Sequence, residues 1–220
     1  MALVGTAPPM TRITLVLASA SPARRALLRA AGVDPLVIVS SVDEDAMVAD
    51  LAVDDRDSVT IAEMLAAAKA NDVLQRARSL GSGPTLVLGC DSVLDFDGQS
   101  LGKPRDADDA VQRWRAMRGR EGVLVTGHAL LDAFGGSTQI ATARTVVRFA
   151  EPTDAEVEAY VATGEPLAVA GAFTLDGLSA PFIDSIDGDP SNVIGLSLPL
   201  LRRLVRSAGH EWTNLWAERA

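Results

Sequence analysis

The sequence predicts an α/β fold in which a mixed central sheet is flanked by helices. Three observations predict it. Strand and helix patterns alternate over the first half of the chain, two long β-rich runs flank a glycine-rich turn past its middle, and no internal repeat or low-complexity segment interrupts them. Alternation implies parallel pairing, and the hairpin implies antiparallel pairing. One compact unit with two lobes and a cleft is the economical architecture.

Ile13 to Ala18 is apolar and β-rich, so it reads as a buried strand. Ser19-Ala20-Ser21-Pro22 then turns into a helix over Ala23 to Ala31, with Ser21 as N-cap, Pro22 in the first turn and Gly32 at the C-terminal cap. Val37 to Val42 reads as a second strand running into Asp43-Glu44-Asp45. Ser58 to Arg78 is a long helix, with Ile61, Met64, Leu65 and Ala68 at helical spacing, and Gly81 to Pro84 stops it. Leu86 to Gly89 is a short apolar strand that ends at Cys90-Asp91-Ser92. Asp106 caps a helix from Ala107 to Met117, and Asp108 and Asp109 complement its dipole. Val123 to Leu131 and Gln139 to Phe149 pair around Phe134-Gly135-Gly136-Ser137. Thr153 and Glu156 make a capping box for a helix that Gly164 closes. Ile194 to Ala208 is an amphipathic helix ending at Gly209. Met1 to Arg12, with Pro8 and Pro9, reads as a frayed extension and a poor signal peptide, which leaves residues 13–220 as a single domain.

Composition narrows the function. At 220 residues and 48% hydrophobic, the chain can bury a real core, and no apolar run reaches the roughly 18 residues a bilayer requires. The single cysteine, Cys90, precludes an internal disulfide and fits a reducing, cytoplasmic setting; in an apolar strand it is read as core. A net charge of -9 argues against duplex nucleic acid, whose binding depends on neutralising phosphates. Lys103, Arg105, Arg113, Arg115, Arg118 and Arg120 nevertheless make a local basic run suited to a small anionic ligand. His128 and His210 have no ligand-spaced neighbours, which counts against zinc, and no Ser/His/Asp elbow, Walker loop or G-x-G-x-x-G is present.

Two segments carry candidate chemistry. Ser19 to Arg25 lies at a strand-to-helix turn, where hydroxyls, free N–H groups and the helix end make a phosphate cradle and Arg24 and Arg25 can add guanidinium forks. Asp91 is placed just past a buried strand, where open α/β sheets bind ligands, and Lys103 follows in a Gly/Pro-bounded turn that can hold its ammonium over a phosphate. An unperturbed Asp ionises near ~3.9, too low for an efficient base at neutral pH. Asp91 must therefore be desolvated, or hold a divalent cation that lowers the pKa of bound water, and the second is favoured. Glu44 is the best further oxygen ligand, and so sparse a set of carboxylates suits Mg²⁺ or Mn²⁺ completed by substrate phosphates.

The ordered set of these pieces resembles the Maf-like nucleotide pyrophosphatase (septum formation inhibitor) family. The resemblance rests on Leu17-Ala18-Ser19-Ala20-Ser21-Pro22 with Arg24 and Leu27-Leu28, Asp43-Glu44, Lys69-Ala70, Gly89-Cys90-Asp91-Ser92-Val93, Gly102-Lys103-Pro104-Arg105-Asp106, Thr126-Gly127, Gly171-Ala172-Phe173, and Asn192-Val193-Ile194-Gly195-Leu196 with Pro199. It implies an elongated fold of the Maf/inosine-triphosphatase type, commonly a homodimer, and hydrolysis of nucleoside triphosphates, normal or modified, to monophosphate and pyrophosphate. It further implies Ser19, Arg24, Lys69 and Lys103 as phosphate ligands, Asp91 as catalytic acid/base, and Glu44 as a carboxylate that helps hold the metal. Two departures stand out. Ala23 replaces the first of two consecutive arginines, with Arg25 the candidate to compensate, and Asp176 before Gly177 replaces a glutamine near the base pocket, with Val169 at a nearby lysine position. Asp176, an acceptor-only carboxylate, would favour a base edge rich in N–H donors. Two alternatives stay open: a nucleotidyltransferase, though the chain has Ser-Ala-Ser-Pro where a glycine-rich loop is expected, and a non-catalytic regulator of septum formation.

Overall fold

The computed structural model describes residues 12–81 and 83–217, so nearly all of the proposed N-terminal extension lies outside the described residues. Strands β1 (Thr14–Leu17), β2 (Leu36–Val37), β3 (Thr85–Phe96), β4 (Gln99–Leu101), β5 (Glu121–Asp132), β6 (Thr138–Phe149) and β7 (Ile183–Asp187) form one sheet in the order β2-β1-β3-β5-β6-β7, with β4 also paired to β3. β1 runs parallel to both β2 and β3, and every other pairing is antiparallel. The sheet is mixed, as alternation plus a hairpin predicts. Its flanking helices are α1 (Pro22–Ala30), α2 (Glu44–Ala49), α3 (Ser58–Arg78), α4 (Ala107–Met117), α5 (Asp154–Ala162), α6 (Pro190–Ile194) and α7 (Leu198–Ser207). The three long strands have 12 residues each and span about 40 Å, which elongates the molecule.

Four differences from the sequence reading have physical causes. β3 does not stop at Gly89; it continues because β4 and β5 pair its second half, so Asp91 lies mid-strand. The second strand predicted over Val37 to Val42 is instead Leu36–Val37, the two residues that pair with Val16 and Leu17 at the end of β1. Glu44 opens a helix rather than following a strand, since the Asp43 side chain caps the N–H of Ala46 and Glu44 and Asp45 fill the first turn. The tail helix divides into α6 and α7 at Gly195, whose φ of 121° no helix accommodates, and Ser197 caps α7.

α3 covers one face of the sheet. Its Ala66, Ala70 and Val73 pack on Val16, Val87 and Ala129, and its Ile61, Ala62 and Leu65 on Val93 and Val125. Two glycines permit this close approach. A Cβ on Gly89 would lie 2.1 Å from the Ala66 carbonyl oxygen, and one on Gly127 would lie 2.2 Å from that of Ala62. The opposite face is divided. Leu86, Leu88 and Cys90 meet Leu28 of α1 and Leu201 and Val205 of α7, while Leu94 and Phe96 meet Trp114 of α4 and Tyr160 of α5. Between these two clusters runs a polar row of Ser92, Thr126 and Asn192.

Candidate active site

The site follows from how β3 is paired. On one side β5 accompanies β3 from Leu86 to Asp95. On the other, β1 pairs only as far as Leu88, where Leu88 accepts the N–H of Ala18, and β4 begins only at Leu94. Residues 89–93 therefore face an open edge, at the point where the neighbour changes from parallel to antiparallel. The carboxyl end of β1 opens onto this gap, and the crevice outside the carboxyl ends of parallel strands is where α/β sheets take ligands.

Asp91 sits in this gap, opposite Gly127 and on the face covered by α3. Because the two glycines let α3 approach, buried Lys69 reaches it directly: Nζ lies 2.6 Å from Asp91 Oδ1 and 2.8 Å from Glu44 Oε1. Burial pushes the Asp91 carboxyl above the usual carboxylate range, although the Lys69 and Arg24 charges pull the other way. The low pKa that counted against Asp91 as a base is thus offset by its environment. Cys90 beside it is fully buried, and burial pushes its thiol up to about 12, so it is core, as read from the sequence.

Arg24 enters from α1 on the other face. Ser21 caps the helix by accepting the N–H of Arg24, and the side chain then runs inward, where it is buried. Nε donates to the Gly195 carbonyl at 2.7 Å, Nη1 to the Cys90 carbonyl at 2.8 Å and to Ser19 Oγ at 3.2 Å, and Nη2 to Ser92 Oγ at 3.1 Å. Four of five guanidinium N–H groups are held, leaving one on Nη2 for a ligand. Ser19 Oγ also accepts the N–H of Ser21, so both its lone pairs are engaged and its O–H is left to donate.

The structure brings together Ser19, Arg24, Glu44, Lys69 and Asp91. It does not bring Lys103 or Asp176 into contact with them. Lys103 is exposed, two residues beyond the end of β4, and the Gly102 carbonyl before it accepts the N–H of Gly171. Asp176 is exposed in a turn whose neighbours Thr174 and Leu178 donate to Glu165. Arg25, the candidate to compensate for the arginine missing at Ala23, is exposed and lies about 200° around the helix from that position. The basic run is also largely neutralised. Arg113 pairs with Asp109 and holds the Gly102 carbonyl, Arg115 and Arg118 pair with Asp154, and Arg120 pairs with Asp97. Ser92 and Thr126 stand in the sequence motifs without a role of their own, since only the β3–β5 register places Thr126 behind Ser92.

Among the described residues, no group of three or more His, Cys, Asp or Glu side chains is placed to hold a metal ion. Two carboxylates nevertheless fit one. Asp91 and Glu44 already converge on a single cation, the Lys69 ammonium, and the second oxygen of each receives no protein hydrogen bond among the described residues. Arg24, Lys69 and Lys103 against Asp91 and Glu44 leave one net positive charge, too little for a triphosphate without a divalent ion. Mg²⁺ suits few carboxylates completed by phosphate oxygens.

A family model described as Maf-like protein matches residues 14–208. A Streptomyces coelicolor protein named nucleoside triphosphate pyrophosphatase is 59% identical over 209 residues, covering 95% of this chain and 97% of that one. Proteins of the same name from Streptomyces avermitilis and Salinispora tropica are 57% and 54% identical, covering 94% and 93% of this chain and 97% and 88% of their own. The solved structure of the Staphylococcus aureus Ham1 protein matches at a TM-score of 0.36 and 14% identity, over 63% of this chain and 72% of that one.

Proposed function

This chain belongs to the Maf-like protein family and is a nucleoside triphosphate pyrophosphatase, and we propose that it cuts between the α- and β-phosphates with the residues gathered at the open edge of β3. The observation that carries the assignment of residues is the convergence of Lys69 on Asp91 and Glu44 beside the anchored Arg24. In this reading the free N–H of Arg24, the hydroxyl of Ser19 and the ammonium of Lys103 hold the phosphates from two sides of the gap. Lys69 has a third N–H to offer beyond its two carboxylates, and places positive charge where the leaving pyrophosphate develops negative charge. Asp91, desolvated and so a stronger base than an exposed Asp, orients and deprotonates the attacking water. Asp91 and Glu44 would hold Mg²⁺ or Mn²⁺, which when bound supplies electrophilic charge to the phosphate oxygens. Asp176 is the candidate for base selection from its turn.

The reading extends to cytoplasmic residence and a homodimer. The lone buried thiol supports the first, and the edge of β6 over residues 138–145, beyond the reach of β7, supports the second by offering unpaired backbone to another copy. The net charge of -9 supports a small-molecule substrate over duplex nucleic acid. No helix among the described residues is long and apolar enough to cross a membrane.

The test is release of pyrophosphate and orthophosphate from a panel of normal and modified nucleoside triphosphates with Mg²⁺ or Mn²⁺, beside Asp91→Asn. Monophosphate plus pyrophosphate is expected, lowered in the variant by about 10²- to 10⁴-fold, the usual size of a lost acid/base group. Orthophosphate as the sole inorganic product would place the cut elsewhere and overturn the assignment.

A further inference from the structure

Arg24 has one N–H left to offer a ligand, so its usefulness depends on how rigidly its plane is set. Three of its anchors are fixed by the fold: two are backbone carbonyls and one is Ser19 Oγ, pinned by the N–H of Ser21. The fourth, Ser92 Oγ, belongs to a rotatable hydroxyl on a half-buried residue, and it sits at the Nη2 end that carries the free N–H. What fixes that hydroxyl lies behind it. Ser92 Oγ is 2.9 Å from Thr126 Oγ1, and Thr126, fully buried, donates in turn to the Asn192 carbonyl at 3.4 Å. Asn192 is itself immobilised, its amide donating to the Leu124 carbonyl and to Thr145 Oγ1, both at 3.1 Å.

Proton counting gives this chain one direction. Arg24 has only donors, so Ser92 accepts from it and its own proton must go elsewhere. Thr126 gives its proton to Asn192 and so receives that of Ser92. All the hydroxyl protons then point away from the open edge, and a lone pair of Ser92 faces Arg24. Without the Thr126 hydroxyl, the Ser92 O–H has no acceptor behind it and turns toward the edge, where it competes with Arg24 for phosphate and releases Nη2.

We infer that Thr126 is a positioning residue for the reaction: through Ser92 it aims the phosphate-binding N–H of Arg24. This rests on the reading of Arg24 as a phosphate ligand given above. The test is steady-state pyrophosphate release by wild type, Thr126→Val, Thr126→Ser, Arg24→Ala and the Arg24→Ala/Thr126→Val double variant, with thermal midpoints for each. Thr126→Val, which keeps the shape and removes the hydroxyl, should raise KM about five- to tenfold, the scale of one hydrogen bond, with kcat changed less than about twofold. Thr126→Ser should stay within about twofold of wild type. In the Arg24→Ala background the valine change should add almost nothing, because the group it aims is gone. A Thr126→Val protein with lowered thermal midpoint and unchanged KM, or equal losses with and without Arg24, would overturn the positioning role. Wild type that releases no pyrophosphate would instead overturn the pyrophosphatase reading itself, and this role with it.

Discussion

His128 is the one histidine among the described residues that is wholly buried, and its two bonds define its protonation. Nε2 accepts the N–H of Ser197 at 2.9 Å, so Nδ1 carries the proton and donates to the Thr126 carbonyl at 3.0 Å. Burial pushes its pKa down to about 4, helped by the Arg24 charge and opposed by the bond to Thr126. The folded value lies below the unfolded 6.5, so the unfolded chain takes up the proton first as pH falls. Stability from this group is complete above about pH 6.5 and is lost between there and about pH 4, by roughly 3 kcal/mol. Denaturant midpoints measured across that window should fall for wild type and fall less for His128→Gln. At the same scale, Lys103→Glu should reduce pyrophosphate release at least about tenfold more than Arg115→Glu, since Arg115 is spent on Asp154 and Glu158 at the surface. Equal losses in that assay would mean that Lys103 does not reach the phosphates. Arg113 is unsuitable as the control because it holds the Gly102 carbonyl beside Lys103.

At the scale of elements, the contact between α3 and β3 decides whether Lys69 can meet Asp91. Gly89→Ala would drive a methyl into the Ala66 carbonyl, a backbone atom that cannot rotate away. The expected cost is about 1–3 kcal/mol of stability from overpacking, with α3 displaced outward. Activity should fall with it, because Lys69 lies one turn from Ala66 and would be drawn off Asp91. A thermal midpoint and a rate measured on the same variant check both parts, and an unchanged rate would mean that the helix shifts without its lysine. The span of α3 was legible because its apolar positions recur at helical spacing and Gly81 to Pro84 stop it. β4 and β7 were not: three and five residues are too short for a pattern, and they exist because β3 and β6 offer them edges. The break between α6 and α7 was present in the sequence as Gly195, Ser197 and Pro199, but the amphipathic spacing across it masked the signal.

At the scale of the whole molecule, two apolar clusters share one sheet face, yet β3 and β5 pass through both and α3 backs both. An intervening linker, the usual basis for separate unfolding, is absent among the described residues between them. Trp114 reports on one cluster, stacked edge-on against Phe149, Tyr160 and Phe182, and Trp212 packs against the other. Single-tryptophan variants retaining one or the other should therefore show coincident denaturation midpoints, matching circular dichroism, as a single cooperative unit requires. Separated midpoints would mean that the two lobes fold independently.

The sequence by itself determined the mixed sheet, the long helix, the hairpin and the capped helices, and it offered Ser19, Arg24, Glu44, Lys69, Asp91, Lys103 and Asp176 as candidates for a site. These depend on local periodicity, capping and an ordered set of short motifs, all properties of neighbouring residues. The tertiary structure decided where Asp91 sits, how Lys69 is shared between two carboxylates, which N–H of Arg24 remains, and why Arg25 and most of the basic run stand apart. Those outcomes depend on strand register and on how closely α3 approaches the sheet. The physical reason is that an open edge is made by where the neighbouring strands stop, and contacts between residues far apart in the chain settle that.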